Sequence, residues 1–169
     1  MAVSASVQEF LRQANVAYRV FPHVPAYTAQ DEAAVTHVPG RDWAKVVVCF
    51  ADGEPVQAVV PADLVVNLHR LRILAGADTI RLAEERELGW LFPECETGAM
   101  PPLGPLYKQR VFVDTTLAAE PQVVFNAGTH ADAVCMRYQD FAAITRPIVG
   151  SFAERPLSSA SSSPFRPAK

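Results

Sequence analysis

Apolar positions recur at two different spacings along the chain, and the longer spacing predicts its helices. Residues 6–14 place their apolar side chains on one face at helical spacing, which predicts a short amphipathic helix. Leucines recur at the same spacing between Leu64 and Leu74, and Asp63 could cap that helix, which we expect to end near Gly76. Further helices are predicted over residues 28–35, 83–91 and 138–145.

Shorter apolar runs predict β-strands. Residues 44–51 and 55–60 are two such runs, and the Asp-Gly pair between them is a strong hairpin signal. Further strands are predicted over residues 18–22, 111–114, 122–126 and 133–137. Prolines and glycines exclude regular structure from 94–105. Strand pairs interspersed with helices, without a regular βαβ rhythm, predict a mixed α+β domain around a largely antiparallel or mixed sheet.

Composition sets the domain organisation. At 169 residues the chain fits one domain with a sizeable core, which we assign to residues 1–150. Residues 151–169 are rich in serine and proline, and we expect them to form a low-complexity, disordered tail.

Charge, cysteines and hydropathy narrow the class of protein. The net charge of -3 argues against a surface that coats nucleic acid, although a local basic patch is compatible with it. The three cysteines are far apart and predict neither a disulfide framework nor a zinc ribbon. Neither a secretory signal nor an apolar run of about 20 residues is visible, so we expect a cytoplasmic protein without a membrane partner.

A single lysine interrupts the apolar strand W-A-K-V-V-V-C-F, residues 43–50. Strand alternation places Lys45 on the face of Val47 and Cys49, and both faces of this strand are apolar. A buried ammonium group is costly unless it is paired. Two interpretations stay open here. Either the lysine stem packs on apolar neighbours while its head reaches water, or the strand holds a cation at a pocket wall.

The stretch T-G-A-M-P-P-L-G, residues 97–104, combines glycines with prolines. Glycine lets a backbone approach a ligand closely, and proline stiffens the surrounding path. Such a loop can present backbone N–H groups to an oxyanion or a sugar hydroxyl, or it can be a simple connection. It lacks the pattern of a phosphate-binding P-loop.

The stretch F-N-A-G-T-H, residues 125–130, clusters polar groups around a glycine at the end of a predicted strand. It is either a hairpin turn with a surface histidine or part of a site. The other histidines lack metal-ligand spacing with His130 or with the cysteines, so we expect no metal or other cofactor. No signature of a nucleophilic triad is visible either.

Taken together, these stretches resemble the YbaK/prolyl-tRNA-synthetase-associated family of aminoacyl-tRNA editing domains. The matching pieces follow the family's order, and they are Y-T-A-Q-D-E-A-A (27–34), W-A-K-V-V-V (43–48), the hairpin 51–61, T-G-A-M-P-P-L-G and F-N-A-G-T-H. The resemblance implies a mixed α+β editing fold. It also implies hydrolysis of the ester between a mischarged amino acid and the tRNA 3′ end.

The resemblance implies roles for particular residues. Lys45 matches the family's hallmark strand lysine, and Gly98–Pro102 matches its G-x-x-x-P loop, while only some relatives have histidine at the position of His130. Catalytic roles are therefore expected for Lys45, Gly98 and His130, with loop N–H groups and the lysine stabilising charge while a bound water attacks the ester. The expected substrate-binding residues are Tyr27, Thr28, Val47, Ala99, Met100, Pro101, Pro102, Gly104, Asn126, Gly128 and Thr129.

These expectations give one leading function and two rivals. The first is a freestanding trans-editing deacylase for a small amino acid mischarged on tRNA, above all tRNA-Pro. Such an enzyme is needed because one methylene changes binding in a synthetase pocket by only about 10–200-fold, so synthetases mischarge amino acids of similar size. The rivals are a non-catalytic tRNA- or synthetase-binding module and a hydrolase of another small acyl ester. The implied partners are the aminoacyl-tRNA 3′ end and a prolyl-tRNA synthetase. Candidates for an acceptor-stem patch are Arg41, Arg70, Arg72, Lys108 and Arg110.

Overall fold

β-Strands and short helices alternate irregularly along the chain in the computed structural model, which describes residues 4–23, 36 and 38–157. The strands are β1 Tyr18–Pro22, β2 Ala44–Ala51, β3 Glu54–Pro61, β4 Val65–Val66, β5 Ile80–Leu82, β6 Arg110–Asp114, β7 Gln122–Asn126, β8 Asp132–Arg137, β9 Ile148–Gly150 and β10 Ala153–Glu154. The helices are α1 Ala5–Ala14, α2 Leu68–Ala75, α3 Glu85–Leu91, α4 Thr115–Ala118 and α5 Tyr138–Thr145, with a 3₁₀ turn over Gly104–Tyr107.

The strands form three sheets. The largest has the order β5-β2-β3-β6-β9, antiparallel from β5 to β3 and parallel from β3 to β9. An antiparallel sheet of order β1-β8-β7 lies beside it, and Trp43 bridges to Val124 of β7 between the two. β4 and β10 form a small antiparallel pair. The predicted mixed α+β class with a largely antiparallel or mixed sheet is confirmed.

The two faces of the β2–β3 hairpin bury different cores. One face belongs to a cluster with Leu71 of α2 and with Phe152. The opposite face belongs to a cluster with Leu11 of α1 and Phe141 of α5. Because side chains alternate along a strand, neighbouring residues of β2 enter different cores, and this alternation determines where Lys45 points.

The hairpin itself is formed as predicted. β2 and β3 pair antiparallel from Ala44 opposite Pro61 to Ala51 opposite Glu54. Asp52 and Gly53 turn the chain with φ of 49° and 82°, the left-handed pair that a tight two-residue hairpin turn requires. The Asp-Gly signal therefore fixed the register of the strand that carries Lys45.

The predicted start of α2 is wrong. Asp63 does not cap the helix, because Val65 and Val66 first pair with β10. Asn67 is the cap instead, and its side chain accepts a hydrogen bond from the Arg70 backbone N–H at 3.0 Å. A two-residue strand is too short to produce a readable apolar pattern, and the leucine spacing concealed it. The helix ends at Gly76 as predicted.

The fold extends past the predicted end of the domain at residue 150. Phe152 is fully buried, and its backbone N–H donates to Asp114 Oδ1 at 2.8 Å. β10 follows directly after it. The tail predicted for residues 151–169 therefore contributes a core residue and a strand near its start, while residues 158–169 lie outside the described residues. The helix predicted over 28–35 also lies outside them.

A buried carboxylate holds the start of α3, the helix that precedes the glycine- and proline-rich stretch. Glu87 accepts both terminal guanidinium nitrogens of Arg81, at 2.8 and 2.9 Å, and the Glu84 backbone N–H at 2.7 Å. These hydrogen bonds, with that of Arg81 the strongest, lower the pKa of Glu87 to about 2. A carboxylate whose pKa is depressed in the folded state stabilises the fold above its unfolded pKa, and this stabilisation is lost as the pH falls through the folded pKa.

We therefore expect Glu87→Gln to flatten the acid dependence of stability. Between about pH 5 and pH 2.5, the melting temperature of the wild type should fall further than that of the variant, because only the wild type loses this carboxylate. Thermal unfolding followed by circular dichroism across this range measures the difference. Glu85→Gln, at an exposed position of the same helix, is the matched control. Equal acid dependence of Glu87→Gln and the wild type would contradict the assignment.

Candidate functional site

Backbone hydrogen bonds join two of the predicted stretches into one unit. We call residues 97–104 the glycine–proline loop and residues 126–130 the histidine turn. The Glu96 N–H donates to the Gly128 carbonyl at 2.8 Å, and the Gly128 N–H donates to the Ala99 carbonyl at 3.0 Å. The loop and the turn therefore hold each other in place.

His130 strengthens this unit from within the turn. The residue is buried, and its Nε2 lies 2.8 Å from the Thr97 carbonyl oxygen. A carbonyl only accepts hydrogen bonds, so Nε2 carries the proton in this contact. The backbone N–H of His130 donates to Glu96 Oε2 at 3.0 Å. His130 therefore fixes both ends of the Glu96–Thr97 segment that leads into the loop.

Gly98 occupies a backbone conformation that favours glycine. Its φ is +88°, and an added Cβ would lie 3.3 Å from Cε1 of His130. The Gly98 N–H donates to Sδ of Met100 at 3.2 Å, whereas the Ala99 N–H is bonded to the Glu96 carbonyl at 2.9 Å. A thioether is a weak acceptor, so the Gly98 N–H is more available to an incoming oxyanion than that of Ala99.

The inner side of the loop rests on the central sheet. Met100 is buried in an apolar cluster with Val48 of β2 and Phe92. Gln57 of β3 is fully buried opposite Val48, and its Nε2 donates to the Pro101 carbonyl at 3.4 Å. Its Oε1 has no hydrogen-bond partner in the described part of the chain. One face of the hairpin therefore supports the glycine–proline loop.

Lys45 lies on the other face of the hairpin. Val47 packs on the α2 side of the sheet, and strand alternation places Lys45 on that same side. Its Nζ donates to the Leu64 carbonyl at 2.6 Å. Partial burial lowers the pKa of Lys45, and nearby Asp63 acts in the opposite direction. Among the described residues, no hydrogen bond or ion pair joins Lys45 to the loop or the turn. The structure thus joins the segments of Gly98 and His130 directly, and Lys45 is outside that hydrogen-bonded unit.

Several predicted substrate-binding residues take part in packing or hydrogen bonding within the fold. An added Cβ at Gly104 would lie 2.3 Å from Val111 Cγ2, so close packing accounts for this glycine. The Thr129 hydroxyl donates to Asp132 Oδ2 at 2.8 Å. Pro101, Pro102, Asn126 and Gly128 are buried, while Tyr27 and Thr28 lie outside the described residues. Substrate contact by any of these residues stays a prediction.

Sequence reasoning missed two polar residues of this region. Gln57 interrupts the apolar strand V-Q-A-V-V just as Lys45 interrupts β2, so the same signal was present for it. Glu96 bridges the loop and the turn, but it stands in a stretch without periodicity, where no pattern separates it from its neighbour Glu94.

The described ranges 4–23, 36 and 38–157 contain no group of three or more His, Cys, Asp or Glu side chains able to hold a metal ion. None of the helices within them is both long and apolar enough to cross a bilayer.

The fold and the joined loop and turn define an aminoacyl-tRNA editing domain. The family model for that domain matches residues 23–144, and the chain belongs to this family. A proline–tRNA ligase from Nitratidesulfovibrio vulgaris strain Hildenborough is 32% identical over 148 residues, or 79% of this chain. The ligase of strain DP4 matches equally. The chain spans about a quarter of the length of these ligases, 25% in both cases.

Solved structures share the fold. A candidate trans-editing enzyme for prolyl-tRNA synthetase superposes with a TM-score of 0.77 at 22% identity, covering 90% of this chain and 99% of that one. A protein of unassigned function gives a TM-score of 0.79 at 22% identity, covering 88% of this chain and 99% of its own. At this level of identity the likeness establishes the fold alone.

Proposed function

We propose that the chain is a trans-editing aminoacyl-tRNA deacylase. It hydrolyses the ester between a small amino acid and the 3′ end of a wrongly charged tRNA, with tRNA-Pro as the expected acceptor. Membership of the editing-domain family over residues 23–144 supports the reaction class. The relatives named proline–tRNA ligase favour tRNA-Pro.

The observation that carries the proposal is the Gly98 N–H, held by the histidine turn and bonded only to a thioether. An aminoacyl ester is already activated, so hydrolysis needs a positioned water and stabilisation of the oxyanion rather than a protein nucleophile. A preorganised N–H aimed at the developing charge supplies that stabilisation without reorganisation. His130 acts by holding the Thr97 carbonyl, and hence Gly98, in position.

Lys45 supplies positive charge in the proposed reaction. Its ammonium group donates to a neutral carbonyl, that of Leu64, and forms no ion pair within the described residues. An anionic oxygen attracts an ammonium group more strongly than a peptide carbonyl does. We propose that a phosphate or carbonyl oxygen of the charged tRNA end takes this proton donor from Leu64.

A deacylation panel tests the function. tRNA-Pro charged separately with Ala, Ser, Thr, Cys and Pro is incubated with the protein, and the remaining aminoacyl-tRNA is measured against a buffer control. We expect at least one small mischarged residue to be released well above the buffer rate, with Pro-tRNA-Pro spared. Binding of tRNA without any release of amino acid would instead indicate a non-catalytic tRNA- or synthetase-binding module. Release of the amino acid only from free aminoacyl esters, and not from tRNA, would indicate a hydrolase of another small acyl ester.

A further inference from the structure

An open cavity of about 340 Å³ lies at the end of the central sheet, next to the 3₁₀ turn. Its charged lining residues are Lys108, Arg110 and Arg146, which we call the basic groove, and all three are exposed. Gln109 and Thr145 are buried in its wall. None of the side chains that line this cavity in the described structure is acidic.

The three cations of the basic groove have no carboxylate partner, unlike several other exposed arginines of the described chain. Arg12, Arg86 and Arg137 each form an ion pair with a carboxylate on the same or a neighbouring turn. No described carboxylate lies within 4.0 Å of a cation of the basic groove. Like charges held together without counter-charges attract an anion.

Asp52 is an acidic residue that interacts electrostatically with Arg110 of the basic groove. Hydrogen bonds from the Thr79 and Asp78 backbone lower the pKa of Asp52, and Arg110 adds a smaller effect in the same direction. The Asp52 carboxylate is already occupied by those N–H groups, at 2.9 and 3.0 Å. It therefore weakens the positive field of the groove without pairing with it.

Each of the three cations stands at or beside a regular element. Arg110 is the first residue of β6, which pairs in parallel with β9. Arg146 follows the last residue of α5, two residues before β9 begins, with φ of 48°. Lys108 ends the 3₁₀ turn in a left-handed conformation, with φ of 57°. The positions of the cations in the chain are therefore fixed by the ends of a strand, a helix and a turn.

An apolar cavity of about 520 Å³ continues the basic groove. Pro105 and Arg146 line both, and Phe10 and Ile144 form the apolar walls of the second. Several cations along a continuous surface can contact successive phosphates of a nucleic-acid backbone, whereas a free phosphate ion occupies only one such position. A surface of this composition fits a polynucleotide better than it fits a free phosphate ion.

The groove is close to the candidate site along the chain. The glycine–proline loop runs directly into the 3₁₀ turn, and Gly98 is seven residues from Pro105. Seven residues span at most about 25 Å. That distance corresponds to about seven stacked nucleotides at about 3.4 Å each, which is within the length of an acceptor stem.

We propose that the basic groove binds the phosphodiester backbone of the tRNA acceptor stem while the 3′ end occupies the site at Gly98. This inference rests on the proposed function, because the RNA is its substrate. Of the five residues that the sequence suggested for an acceptor-stem patch, the inference keeps Lys108 and Arg110. It adds Arg146, which the sequence did not suggest.

The test compares two triple variants that lose the same charge. The groove variant, Lys108→Gln/Arg110→Gln/Arg146→Gln, removes the three positive charges of the basic groove. The matched control, Arg12→Gln/Arg86→Gln/Arg137→Gln, removes three positive charges elsewhere on the surface. Binding of a labelled acceptor-stem RNA hairpin is measured by fluorescence anisotropy between 50 and 200 mM salt. We expect the slope of log K against log salt to become shallower by about two to three in the groove variant only, at about 0.9 per phosphate contact. Circular dichroism confirms that both variants fold.

A kinetic arm separates this inference from the proposed function. Alanyl-adenosine is too short to reach the groove, so the groove variant should hydrolyse it at the wild-type rate while its kcat/KM for charged tRNA falls. If the wild type hydrolyses neither alanyl-adenosine nor charged tRNA, the proposed function fails. The slope of log K against log salt still shows whether the groove binds the RNA backbone. An unchanged slope, or equal loss in the control variant, overturns the inference. The inference is also overturned if the wild-type protein binds an acidic peptide such as hexaglutamate and does not bind the RNA.

Discussion

Replacing Lys45 with alanine is expected to lower the rate of deacylation about 10²–10³-fold, the loss typical when one charge-stabilising donor is removed from a transition state. The ammonium group is half-buried, and burial strengthens its interaction with an anionic oxygen because less water screens the charge. Single-turnover deacylation of the most active mischarged tRNA measures the effect.

Lys45→Met separates charge from packing. Methionine retains an apolar stem against the α2 side of the sheet but cannot donate to an oxygen. We expect Lys45→Met to lose as much activity as Lys45→Ala while unfolding at a temperature closer to that of the wild type. Full activity of a folded Lys45→Met protein would remove the lysine from the mechanism.

Gly98→Ala should lower deacylation about 100-fold, the scale of effect that a displacement of about 1 Å at a reacting group can have. The substitution acts in two ways. Alanine at a φ of +88° is strained by about 1–2 kcal/mol, and its Cβ would press on Cε1 of His130 at 3.3 Å. The histidine turn and the oxyanion donor would have to move apart. The same deacylation assay measures the loss.

Gly53→Ala is the matched control for Gly98→Ala. Gly53 has a similar φ of +82°, but an added Cβ there has nothing within 4 Å. We expect the two variants to lose comparable stability in thermal unfolding and only Gly98→Ala to lose activity. If Gly53→Ala were equally inactive, general destabilisation rather than the contact with His130 would explain the result.

The fold was largely readable from the sequence, since the hairpin, α1, α3 and α5 all lie within two residues of their predicted bounds. Their signals are strong because each buries a face with a regular period. β4, β5, β9 and β10 were missed, as strands of two or three residues carry no period of their own. β5 and β9 pair with the longer strands β2 and β6, whereas β4 and β10 pair with each other.

The site was readable in parts. The loop and the turn could be identified because glycine, proline and polar residues cluster in both. Alternation predicted correctly that Lys45 shares a face with Val47. It did not indicate that the glycine–proline loop would cover the opposite face, because the side of a sheet on which a distant loop packs depends on tertiary contacts. Glu96 was missed for the same reason.

The two faces of the β2–β3 hairpin have a consequence for how this domain can change in evolution. The residues beneath the glycine–proline loop, Val48, Met100 and Gln57, belong to one side of the hairpin, and Lys45 belongs to the other. Substitutions beneath the loop can therefore reshape the support of the oxyanion donor while the cation keeps its surroundings. In the proposed reaction, the support of the oxyanion donor and the surroundings of the cation can thus diversify separately on a single pair of strands.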